Sequence, residues 1–208
     1  MAAPSNAALL DELASEFVRG GYDLKSLMRP ILLSSTYQLS SQTAPGTEFD
    51  KTLYSRYYYR RLPAEPLLDA ISQVTESRHR FRFGYEGMRA IQLHDPAMYD
   101  SFLQAFDRSR REMVCERVET HTLLQTMEMV SGDAVNAKIR NSPFVKQLVG
   151  MSDLDAINSI YQRSLGRRPT PEEIDSITTL MSKGESRQAA IEDLLWAALN
   201  SREFLFNH

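Results

Sequence analysis

Apolar residues recur along this chain at intervals of three and four, the spacing that puts them on one face of a helix. Leu9, Leu10, Leu13, Phe17 and Val18 follow it. Ser5 or Asn6 supplies the cap before them and Gly20-Gly21 the stop after them. Asp23 caps a second helix with Leu24, Leu27, Met28, Ile31 and Leu32, where the internal Pro30 removes a backbone donor and predicts a kink. From Ser40 to Lys51 the periodicity gives way to Ser, Thr, Pro and Gly, the composition of a surface loop. Pro63 stands at the first turn of a helix through Leu67, Leu68, Ile71 and Val74.

Between Ser77 and Leu93 no helical period is present, and although Phe81-Arg82-Phe83 alternates as a short extended segment or hairpin would, the stretch reads as an irregular excursion. Asp95-Pro96 reads as a cap and first-position proline opening a helix with Met98, Phe102, Leu103 and Phe106. Beyond the Arg-rich stretch from Arg108 to Arg111, further helices are predicted from Thr122, Asp133, Ser142-Pro143 and Ser152, the last stopped by Gly166. Thr170-Pro171-Glu172-Glu173 joins a capping box to a first-position proline, the most specific local signal in the chain. A final helix from Ser186 is followed by the apolar segment Phe204-Leu205-Phe206. About ten short helices with brief connections predict an irregular all-α fold rather than an up-and-down bundle. A single domain, with a subdivision near 142–152, is the expected organisation.

Composition narrows the function classes. The chain has 208 residues, and its formal net charge of −3 removes the basic footprint expected of a nucleic-acid binder. Apolar runs fall far short of the roughly 20 residues that cross a bilayer, so no membrane insertion is expected. Cys115 is the only cysteine, which excludes an intrachain disulfide and haem attachment. The first residues have no basic stretch followed by an apolar core, so they are not a signal peptide.

Several stretches, in order, carry a resemblance. They are Pro4-Ser5-Asn6-Ala7-Ala8-Leu9-Leu10-Asp11, Leu33-Ser34-Ser35-Thr36-Tyr37-Gln38-Leu39-Ser40 and Arg60-Arg61-Leu62-Pro63-Ala64-Glu65, then Phe106 to Arg111, Cys115-Glu116-Arg117, Leu165 to Glu173 and Leu199 to Phe204. The set resembles the C-terminal domain of planctomycete-type exported proteins called domain of unknown function 1553. The resemblance implies that the chain belongs to a longer exported polypeptide, periplasmic or at the cell surface, that sometimes carries a cytochrome-c-like domain, and that it begins inside the domain. It implies as partners the remainder of that polypeptide or another exported protein. In similar proteins another cysteine often stands two positions before the Cys115-Glu116-Arg117 motif, where Met113 stands here.

Candidate chemistry is sparse. Tyr57, Tyr58, Tyr59, Arg60 and Arg61 interleave aromatic and cationic groups, a composition that binds bases, phosphates or sugar rings. The preferred reading of Arg60-Arg61 is structural, since arginines at a helix entrance beside Glu65 commonly bridge carboxylates. His94, Glu119 and His121 are the candidates for acid-base work, and Asp95 beside His94 is better explained as a helix cap. Cys115, Glu116, Glu119 and His121 match no closed zinc spacing, so neither a metal nor a cofactor is expected. Glu172 and Glu173 fit a first helical turn, where the helix dipole favours them. These observations favour a structural or protein-interaction role over catalysis. The alternatives are a hydrolase of extracellular polymers and a carbohydrate-binding module, the latter asking for Tyr57 to Tyr59 exposed in one plane.

Overall fold

The computed structural model describes residues 4, 6–50, 52–82, 84–93, 100–106, 122–183 and 186–207. These residues are mostly helical, and they divide into two compact units that meet in sequence at Arg60 and Arg61. The expected subdivision near 142–152 falls inside the second unit. There the core residues Phe144, Val145, Leu148, Ala156 and Ile160 belong to one continuous cluster.

The first unit holds a pair of helices and a folded loop. Helix α1 (Ala7–Arg19) begins where the Asn6 side chain accepts from the Leu9 N–H, 3.0 Å. It ends at Gly20, and the turn into α2 (Leu24–Leu33) needs positive φ at Gly21 and Tyr22. Tyr22 meets Phe17 edge-on with ring centroids 5.4 Å apart. The Asp23 carboxylate caps α2 through the Lys25 N–H, and the helix continues past Pro30 to Leu33. Neither helix buries a single residue. In the loop, Asp50 accepts from the backbone N–H groups of Thr52, Leu53 and Ser55. Hydrogen bonding from Ser55 and these amides holds its carboxyl far below the usual range.

The second unit is built on α3 (Ala64–Thr75), whose Leu67, Leu68, Ile71 and Val74 are fully or nearly fully buried. Each such side chain contributes about 1.5–3 kcal/mol. Against α3 pack the short 3-10 turn Ala90–Gln92, α4 (Ser101–Ala105), α6 (Asp133–Arg140) and α7 (Pro143–Val149). Helix α5 (Leu123–Ser131) lies on α4 and α6. Helices α8 (Asp153–Leu165), α9 (Pro171–Met181), α10 (Arg187–Leu199) and α11 (Arg202–Leu205) complete the unit. Helix α10 touches α6, α7, α8, α9 and α11, which explains why its apolar residues are distributed around the helix rather than along one stripe. Two-residue strands β1 (Arg60–Arg61) and β2 (Phe206–Asn207) form a small ladder, continued by the Leu62 N–H donating to the Leu205 carbonyl, 2.9 Å. No strand appears among the described residues of 77–93. No helix among the described residues is long and apolar enough to cross a membrane.

One charged cluster fixes the ends of three elements. Gly166 closes α8 in the left-handed conformation (φ 72°), and the next residue, Arg167, points its guanidinium at two carboxylates. It binds Glu203 at 2.6 and 2.9 Å and Glu173 at 2.8 and 2.9 Å, while donating also to the Arg168 carbonyl. All five guanidinium N–H groups are thereby used. Its carbon lies 5.2 Å from the Tyr161 ring centre. Glu173 at the same time completes the Thr170 capping box of α9.

Candidate functional site

The Tyr/Arg run is folded into local structure. Arg56 donates to the Thr47 carbonyl at 2.6 Å and lies over the Tyr58 ring, and the Tyr58 hydroxyl accepts from the Tyr54 N–H at 3.0 Å. Tyr57 and Tyr58 are half-buried, whereas Tyr59 and Arg60 are exposed. Arg61 turns inward, hydrogen-bonded to the buried Gln125 and stacked 5.1 Å from the Phe106 ring centre. His94, Asp95, Cys115, Glu116, Arg117, Glu119 and His121 lie outside the described residues. The helix expected from Asp95-Pro96 is described only from Ser101, where Asp100 provides the cap.

That cap belongs to a polar seam which reasoning from the sequence missed. On leaving α3 the chain turns at Glu76, a non-glycine residue with φ 53°, and its next inward-facing positions are Ser77 and His79. Three bonds fasten this segment to the helices beneath it. The Ser142 hydroxyl donates to the Thr75 carbonyl at 2.6 Å, the Lys138 ammonium donates to the Ser77 carbonyl at 2.6 Å, and His79 Nε2 meets the Asp100 carboxylate at 2.7 Å. Ser142 and Lys138 are buried, and the His79 and Asp100 side chains keep only 18% and 11% of their exposure. Asp69 stands nearby on α3 and accepts from the Ala90 and Ile91 N–H groups.

The electrostatics of the seam follow from its burial. Burial drives the Lys138 ammonium down to about 8, although the charges of Asp100 and Asp69 oppose the shift. Burial also pushes Asp100 upward, but hydrogen bonds from His79 and the Leu103 N–H outweigh it, and the carboxyl sits below its ordinary 3.8. Lys138 therefore gives a pH signature of definite sign. Between about 8 and the ordinary 10.5, the unfolded chain binds this proton and the folded chain does not, so stability rises with pH across that window. The difference in unfolding free energy between the wild type and Lys138→Met is expected to grow there by up to about 3 kcal/mol, read by urea denaturation at fixed pH values. A flat difference would mean that the ammonium is not desolvated.

Chemically, the seam holds an imidazole oriented by a carboxylate, the base and the acid of a hydrolytic triad. No hydroxyl or thiol is hydrogen-bonded to His79 among the described residues, so a nucleophile is not assembled there. Among the described residues no group of three His, Cys, Asp or Glu side chains is arranged to hold a metal ion. The sequence signal that could have found the seam is the alternation Thr75, Ser77, His79, three polar inward positions at strand spacing after a helix. Their partners lie 21 to 67 residues away, beyond any local pattern.

Comparison with known proteins adds one result. No curated protein and no solved structure matches the chain. Over residues 1–181 it matches the family model PSD1, Protein of unknown function (DUF1553), and the chain belongs to that family.

Proposed function

We propose that this chain is a helical protein-interaction module that works by docking rather than by catalysis, as part of an exported polypeptide. The observation that supports this reading is the first unit. Leu9, Leu10 and Val18 on α1, with Leu24, Met28 and Leu33 on α2, are each more than half exposed. A soluble surface rarely carries so many large apolar groups on two neighbouring helices unless another surface covers them. Covering six such side chains contributes several kcal/mol, on the order of 1 kcal/mol each after the entropy of ordering. Export and attachment to a longer polypeptide rest on the resemblance of the ordered motifs. A hydrolase reading draws support only from the His79–Asp100 pair, which has an orienting carboxylate and a base but no nucleophile beside them among the described residues.

The test is hydrogen exchange in the natural polypeptide that carries this chain, compared with the chain alone. Amides of Ala7–Arg19 and Leu24–Leu33 are expected to exchange at least about tenfold more slowly in the natural polypeptide, and the paired substitutions Leu10→Glu and Met28→Glu to erase that protection. Equal exchange in both settings would overturn the reading.

A further inference from the structure

The hairpin of α9 and α10 does not close on itself. Between these helices, the end of α8 and α11 lies an apolar trough of about 570 Å3, large enough for several side chains. On α10 its floor is Ala190, Leu194 and Ala197, which the spacing i, i+4, i+7 places on one face. On α9 its wall is Ile177, Leu180 and Met181. The alanines widen the trough, since a leucine at either position would occupy part of it. Leu180 is 68% exposed, so this wall reaches solvent and the trough is open rather than enclosed.

Charge narrows what would fit. Asp193 precedes Leu194 on α10, lines the trough, is exposed, and has no hydrogen bond or ion pair among the described residues. At the other end, Arg167 divides its donors between Glu173 and Glu203, so that cluster keeps one net negative charge. Among the described residues no lysine and no second arginine lines the trough. An occupant therefore needs apolar side chains for the floor and positive charge for the rim. An open trough between two helices matches the ridge of a third helix, whose residues at i, i+3, i+4 and i+7 would enter it.

We propose that this trough is the docking site for an amphipathic helix of a partner protein, one carrying lysine or arginine beside its apolar stripe. The site lies in the second unit and rests on a different observation from the exposed stripe of the first, so either can fail alone.

Trp196 lines the trough and is the chain's one tryptophan, which makes its emission a local reporter. The probe is a synthetic helical peptide with leucine at every third or fourth position and lysines flanking that stripe, titrated into the chain. A saturable blue shift is expected. Leu180→Glu, at an exposed position that leaves the fold intact by circular dichroism, should weaken binding by about tenfold or more. Asp193→Lys should weaken it by about threefold and bring the glutamate-flanked twin peptide closer to the lysine peptide. The proposal is overturned if lysine and glutamate peptides act equally on the wild type, if the shift survives Leu180→Glu, or if no shift occurs. It is likewise overturned if a small cationic amphiphile, dodecyltrimethylammonium, shifts Trp196 and the peptide does not.

Discussion

Replacing Asp100 with alanine is expected to remove about 3 kcal/mol from the stability of the second unit. This carboxylate does three things from one nearly buried position. It caps α4 through the Leu103 N–H at 3.0 Å, it holds His79 at 2.7 Å, and its charge offsets the buried ammonium of Lys138. Loss of a cap alone costs about 1 kcal/mol. Stripping a buried cation of its counter-charge costs more, because the cation remains in the interior. Asp100→Asn keeps an acceptor at the cap but not the charge, so it should cost about two-thirds as much, roughly 2 kcal/mol. Urea denaturation followed by circular dichroism separates the two variants. A loss below about 1 kcal/mol for the alanine variant would show that Asp100 serves only as a cap. The contribution is present above the ordinary carboxylate value of 3.8 and is lost as the pH falls through the lower folded value.

Arg167→Ala should cost about 2 kcal/mol, which for a unit of this size lowers the melting temperature by about 4–8 °C. The figure is moderate because Arg167, Glu173 and Glu203 remain partly exposed, and solvent screens their attraction. It is still well above that of an ordinary surface ion pair. The fork geometry is bidentate toward both carboxylates, and removing it leaves Glu173 and Glu203 facing one another. Arg167→Lys keeps the charge but cannot reach both partners in the same plane, so it should recover less than half of the loss. The pH dependence provides a second reading of the same cluster. The Arg167 guanidinium and the Thr170 N–H hold the Glu173 carboxyl down at about 2, against an ordinary 4.5. Its stabilising contribution is therefore present above 4.5 and fades as the pH falls toward 2, and this acid slope should be shallower in Arg167→Ala. If both chains lose stability equally over that range, the cluster does not couple to Glu173.

Both predictions rest on residues the sequence handled unevenly. Glu173 is legible as a capping-box residue, and it is one, with the Thr170 side chain accepting from its N–H and its carboxylate accepting from the Thr170 N–H. Its second partner, Arg167, is six residues away in a turn, and the third member, Glu203, lies 36 residues from Arg167. Nothing in the local pattern joins them. By sequence Arg61 groups with the tyrosines as a candidate binding residue, and its guanidinium is directed at Gln125, 64 residues on. An arginine beside aromatics reads the same whether the aromatic is exposed or in the core, because sequence spacing carries no information on burial.

The sequence by itself determined where most helices begin and end. Asn6, Asp23, Thr122, Ser142, Ser152, Thr170 and Ser186 each cap the helix expected of them, and Gly20 and Gly166 stand at the expected stops. These are interactions over two to four residues, fully specified by side-chain chemistry and backbone freedom. The ordered motifs likewise identified the family. Only the tertiary structure decided which apolar stripes find cover and which polar groups meet. The stripe of α3 is sealed by four neighbouring elements, while those of α1 and α2 remain open, although all three look alike as periodic sequence. Amphipathic spacing states that a face favours burial, and which surface covers it depends on how distant segments pack. The seam of Ser142, Lys138, His79 and Asp100 arises in the same way, from hydrogen bonds that close only once α3, α4, α6 and α7 are packed together.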